Sequence, residues 1–142
     1  MLIFAASIIY TCPEQWTLYQ GICLKIMNVR KNFEDFRKEC HNYNSEPVSI
    51  ETLDKEIAII ALLNQYREYW IGLYNPFDDN NRNHFQWKAD GTFLSQANYS
   101  NWYRTEPSQD GPCIVISKKN SVWQWYDRNC NYRYRFICQK GN

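Results

Sequence analysis

Six cysteines, at positions 12, 23, 40, 113, 130 and 138, constrain this chain more than anything else in it. Their number is even and no two stand as C-x-x-C, which points to a disulfide framework rather than a zinc site. Such a framework forms in an oxidising compartment, so the folded chain belongs outside the cell (secreted or on a cell surface) or in the secretory pathway. Six cysteines permit fifteen pairings, and spacing alone does not choose among them.

At 142 residues the chain has room for one domain of ordinary size. Hydrophobic residues make up 44%, enough for a real core, and the aromatic share of 17% serves core and binding surface equally well. Sixteen basic and fifteen acidic residues leave a net charge of +1, with no like-charge run of the kind that binds nucleic acid or an acidic membrane. The first eleven residues form a short apolar segment, and residues 12–142 form the expected domain. An apolar run of about 10 residues is too short to span a bilayer, which takes roughly 20. It also lacks the basic start of a strong export signal. A clipped signal peptide, the stub of a membrane anchor and a first β-strand all remain open.

Along the domain, Trp16, Leu18 and Gln20 alternate with Thr17 and Tyr19 before Gly21, a hairpin pattern that continues as a strand over Leu24 to Val29. Asn32 reads as an N-cap, with Glu34 and Asp35 in the first turn. Phe33, Phe36, Arg37 and Cys40 then fall on one helical face. Pro47 to Ile50 reads as extended. Thr52 caps a second predicted helix reaching about Gln65, with a stripe of Leu53, Ile57, Ile60, Ala61 and Asn64. A buried strand is expected at Tyr69 to Leu73. From Tyr74 to about Pro112 the pattern loosens, with strands near Phe85 to Trp87 and Cys113 to Ile116. A final pair of strands, Trp123 to Tyr126 and Tyr134 to Cys138, closes an α+β layout. So long an irregular stretch inside a compact domain is commonly a functional loop.

Five motifs in this order resemble the C-type lectin-like domain family in its long, six-cysteine form. They are Cys12-Pro13-Glu14-Gln15-Trp16, Gly21-Ile22-Cys23, Trp70-Ile71-Gly72-Leu73, Trp125-Tyr126-Asp127 before Cys130, and Phe136-Ile137-Cys138. The resemblance covers nearly everything from Cys12 onward. It implies two helices flanking small antiparallel sheets, a long irregular loop, and three disulfides: Cys12–Cys23, Cys40–Cys138 and Cys113–Cys130.

In sugar-binding members of that family, a calcium ion under the long loop is held by an E-P-N or Q-P-D triplet, a Glu near the next cysteine, and the Asn and Asp of W-N-D. Calcium takes roughly 6–8 oxygen ligands, which explains such clustering. This chain departs from the pattern at three positions. Its triplet is Glu106-Pro107-Ser108, with Pro107 at the family's cis-proline. Gly111 stands where the family has its Glu, and Asp110 is one step away. Tyr126 replaces the Asn, while Asp127 is retained. The resemblance thus leaves Glu106, Ser108 and Asp127 as metal candidates in a diverged site, and calcium as an alternative rather than an expected cofactor. Convergence of Glu106, Ser108, Asp110 and Asp127 on one point would favour calcium; Tyr126 filling that point would exclude it.

The same surface supplies the other candidate ligand-binding residues, Arg104, Trp123 and Tyr126. Whichever of the last two rings faces outward offers a stacking platform or a protein anchor. Trp70, Trp87, Trp102 and Trp125 read as core. Asn98-Tyr99-Ser100 is a glycosylation sequon on a loop. Enzyme chemistry finds no support: His41 and His84 lie in no triad arrangement, and the disulfides claim every thiol. A recognition module remains, for a cell-surface protein or glycan and without nucleic acid. It binds without calcium, or alternatively as a calcium-dependent lectin through Glu106 and Asp127. Homo-oligomers are compatible with the sequence.

Overall fold

Alternation along the strands decides how the chain layers. In the computed structural model, which describes residues 11–141, Tyr69, Ile71 and Leu73 enter one buried cluster, while Trp70 between them enters another. Ile114 and Ile116 join the first cluster, Cys113 and Val115 the second; Ile137 joins the first, Phe136 and Cys138 the second. Successive side chains of a strand point to opposite faces, so a sheet apolar at every position must be covered on both sides.

The strands are β1 (Thr17–Tyr19), β2 (Ile22–Lys31), β3 (Glu46–Pro47), β4 (Tyr69–Tyr74), β5 (Gln86–Trp87), β6 (Cys113–Lys119), β7 (Val122–Arg128) and β8 (Tyr134–Gly141). The helices are α1 (Phe33–Asn42) and α2 (Leu53–Ile60). The sheet runs β1-β2-β8-β4-β6-β7, with β3 on β8 and β5 on β4. The α+β class and the two helices match expectation, but the small antiparallel sheets are joined into one. A parallel pairing of β4 with β8 joins them, Trp70 opposite Phe136. The two closing strands do not pair with each other: β7 pairs with β6, and β8 with β2, β3 and β4.

Helix α1 covers the second face with Phe33, Phe36 and Cys40. Its N-terminus is held as expected, Asn32 Oδ1 accepting the Asp35 amide at 2.9 Å. Helix α2 is shorter than predicted and presents a different face. Leu53 and Ile57 are exposed, whereas Lys55, Glu56 and Ile59 are buried. The polar residues tolerate burial because each has partners: Lys55 Nζ donates to Glu51 Oε2 at 3.1 Å and Gln139 Oε1 at 2.8 Å, and Glu56 is treated below.

The long loop between β4 and β6 is the other half of the first face's cover. Phe85, Trp87, Leu94 and Trp102 all enter that core, and Trp102 and Trp87 meet Trp125 edge-on. The four tryptophans read as core are all buried. Gly72 of the W-I-G-L strand explains its own identity: its amide donates to Val48 O at 2.8 Å, and a Cβ there would lie 2.7 Å from that oxygen.

The three disulfides pair as the resemblance implied, Cys12–Cys23, Cys40–Cys138 and Cys113–Cys130. The second ties α1 to β8 across 98 residues, against 17 and 11 for the others. The expectations for residues 1–10 lie outside the described residues.

Loop-closure entropy ranks the bridges, at about 4.7 kcal/mol for a loop of roughly 100 residues against about 3 for roughly 15. Paired Cys→Ser replacements at 40 and 138 are therefore expected to lower the urea midpoint more than either other pair. Gly72→Ala is expected to cost about 1–3 kcal/mol in the same assay through overpacking.

Candidate ligand-recognition site

Two strand-like contacts fasten the end of the long loop to β7. Trp125 N donates to Asn101 O at 2.8 Å and Tyr103 N to Trp125 O at 3.1 Å. Behind them sits the buried carboxylate of Glu56, which accepts from Trp125 Nε1 at 2.9 Å, Asn101 Nδ2 at 3.0 Å and the Tyr99 hydroxyl. Burial pushes this carboxyl up, and the three donors pull the other way. The sequence offered no sign of Glu56, since a helix stripe read from apolar residues passes over it.

From this anchor the chain turns at Tyr103–Glu106, with Glu106 N donating to Tyr103 O at 2.9 Å, and enters the cis Glu106–Pro107 bond. Glu106 is buried and its Oε2 accepts the Asp127 amide at 2.9 Å. Asp127 is fully buried, and three donors engage its two oxygens: Ser108 Oγ on Oδ1 at 2.9 Å, Ser108 N at 2.9 Å and Asp110 N at 3.2 Å on Oδ2. Ser108 Oγ also lies 3.1 Å from Asp110 Oδ2, so its single proton serves one carboxylate at a time. Arg82, unmarked in the sequence, clamps the turn by donating from Nε to Glu106 O at 3.0 Å.

The convergence that the sequence left as a condition for calcium is present. Ligand atoms of Glu106, Asp110 and Asp127 lie within 4.8 Å of one another, with Ser108 bonded among them. Burial and the neighbouring Asp127 push the Glu106 carboxyl up to about 7. Tyr126 does not fill this point. It follows the strand's alternation into the second cluster, where it stacks on Tyr103 at 5.2 Å, while Asp127 takes the opposite face. The outward-facing platform expected of Trp123 or Tyr126 is absent, because both rings are buried. Arg104, Ser108 and Asp110 are exposed, and Arg104 lies over the Tyr103 ring.

Calcium fits these residues only in part. Three carboxylates and one hydroxyl reach the roughly 6–8 oxygens the ion takes only if the carboxylates bind through both oxygens or carbonyls and water join them. Both oxygens of Asp127 already have protein donors. Gly111 contributes no side chain, and none fits: φ is +147° and a Cβ would lie 2.2 Å from Arg128 O.

Comparison with known proteins agrees with the fold. The family model for the lectin C-type domain matches residues 29–140. The chain is 30% identical to Snaclec A9 of Macrovipera lebetinus over 137 residues, covering 90% of this chain and 97% of that protein. It is 25% identical over 134 residues to C-type lectin domain family 4 member A of Rattus norvegicus, covering 90% of this chain but 53% of the relative, so it spans about half that protein's length. Among solved structures, the C-type lectin domain of murine dendritic cell inhibitory receptor 2, in complex with N-glycan, superimposes with a TM-score of 0.82 at 22% identity, over 93% of this chain and 100% of that one. The cow carbohydrate-recognition domain of CD23, in the presence of GlcNAc2Man3 oligosaccharide, gives 0.77 at 27% identity over 93% and 97%. The cysteine framework, the two-sided sheet, the folded long loop and the family match agree: the chain belongs to the C-type lectin domain family.

Proposed function

We propose that the chain is a non-enzymatic recognition module that binds a cell-surface glycan or protein through its long-loop face without requiring calcium. Arg104, Ser108 and Asp110 present donors and acceptors there, backed by Glu106 and Asp127. One observation carries the calcium-independent mode: loop residues 108–110 themselves supply the donors on Asp127. The face is thereby preformed, which lowers the ordering cost of binding. The carbohydrate-recognition domain of cow CD23 supports a glycan as one ligand class.

Other features support this reading. Each histidine is paired with a carboxylate, His41 with Glu46 at 2.9 Å and His84 with Asp79 at 2.7 Å, and no described cysteine is free. Three disulfides fit a secreted or cell-surface protein, and no helix among the described residues is long and apolar enough to cross a membrane. Asn98 is exposed, as its use for glycosylation in that compartment requires. A calcium-dependent lectin is the second reading, favoured by the convergence of Glu106, Asp110 and Asp127.

Calorimetric titration of Ca²⁺ into the oxidised, metal-free chain separates the two. We expect no heat and an unchanged unfolding temperature. Micromolar to low-millimolar binding with a raised unfolding temperature would establish the second reading instead.

The carboxylate cluster also sets a pH dependence. Glu106 binds its proton more tightly folded, with a value of about 7, than unfolded, where it titrates in the ordinary Glu range. Its contribution to stability is therefore full below that range and lost as pH rises to about 7. Urea unfolding between about pH 4 and pH 8 should show this fall. In Glu106→Gln, which keeps an acceptor for the Asp127 amide, the component should vanish; an unaltered profile would contradict the assignment.

A further inference from the structure

One end of the sheet collects four arginines that join no ion pair among the described residues. Arg30 lies near the end of β2, Arg67 in the link from α2 to β4, Arg133 just before β8 and Arg135 at its start. Strand pairing brings them together: Lys31 stands opposite Tyr134 on β8, and Arg135 opposite Tyr69 on β4. All four line one cavity of about 250 Å³. Arg67 and Arg135 continue into an adjoining cavity of about 370 Å³ that also presents Asn28 and Asn64.

Glu68 is the sole carboxylate lining either cavity, and its Oε1 already accepts from Arg128 Nη2 at 2.7 Å. None of the four arginines joins an ion pair among the described residues. Arg135 Nε is buried without a hydrogen-bond partner, a donor left over after folding. Four like charges held together at one cavity form an arrangement that an oxyanion completes.

We infer that this arginine cluster binds a sulfated polysaccharide. Guanidinium forks pair with the oxygens of sulfate in a planar, bidentate manner that a lysine cannot reproduce. Two adjoining cavities sharing Arg67 and Arg135 suit a chain carrying successive anions better than a single free ion. Asn28, Asn64 and the exposed Tyr66 offer hydrogen bonds and a ring to the sugars between those anions. The disulfides place the protein where sulfated polysaccharides occur and nucleic acids ordinarily do not. With a net charge of +1 for the whole chain, attraction for a polyanion must come from this local cluster. The site shares no residue with the segment from Arg104 to Asp127, so it stands or falls separately from the long-loop reading.

The test is calorimetric binding of a size-defined heparin oligosaccharide to the full oxidised chain in EDTA, over a series of salt concentrations. Wild type should bind, and more weakly as salt rises. Arg67→Gln with Arg135→Gln should weaken binding by at least about tenfold. Arg37→Gln with Lys38→Gln, which removes the same charge from α1, should stay within about twofold. The cluster variant should unfold at or above the wild-type temperature, since it relieves repulsion. Arg67→Lys with Arg135→Lys keeps the charge and should still bind more weakly than wild type. Absence of heparin binding, equal losses in the two Gln pairs, or tighter binding of a DNA duplex than of heparin would each overturn the inference.

Discussion

The long loop has a shape because Glu56 has partners. A carboxylate with no exposure to water is costly unless its oxygens are satisfied, and here satisfaction comes from Tyr99, Asn101 and Trp125, which lie 43 to 69 residues away in sequence. The demand works in both directions: the carboxylate needs the loop closed, and the loop's indole and amide donors need the carboxylate. Because Asn101 and Tyr103 then anneal to Trp125, the chain is fixed just before the proposed face begins at Arg104. The recognition surface is thus referenced to helix α2, a rigid element, rather than to the loop's own backbone.

This arrangement also reconciles a loop of irregular backbone with a well-packed interior. The sheet carries apolar residues on both sides, so it needs two covers, and only two short helices are available. Helix α1 suffices for one face. Helix α2 contributes little apolar surface to the other, and Phe85, Trp87, Leu94 and Trp102 of the loop supply the remainder. The loop is therefore core on its inner side and, on its outer side, the proposed ligand surface. Substitutions on the two sides differ in kind, the inner ones costing stability and the outer ones specificity.

Much of the fold was legible in the sequence where one interaction dominates locally. The Asn32 cap, the spacing of Phe33, Phe36 and Cys40, and the strand from Tyr69 follow from helical and strand periods that tertiary context did not override. The face of α2 was misread because Lys55 and Glu56 turn inward toward partners far along the chain, while Leu53 and Ile57 are left in solvent. The convergence of Glu106, Ser108, Asp110 and Asp127 was foreseen as a condition, since all four lie in one loop-and-strand segment. The burial of Tyr126 was not, although the alternation that turns Asp127 toward the loop requires its neighbour to turn away. Nothing in the order of residues announced the arginine cluster, whose members come from three segments that meet only through sheet pairing.

The glycine at 111 limits what substitution can do to the loop. Its φ of +147° and the 2.2 Å that would separate a Cβ from Arg128 O mean that the backbone has settled into space a side chain would need. A single substitution cannot place a ligand side chain at 111, because any side chain first requires the loop and the β7 terminus to move apart. Variation that leaves this backbone in place is then open to the exposed neighbours Arg104, Ser108 and Asp110 but not to position 111.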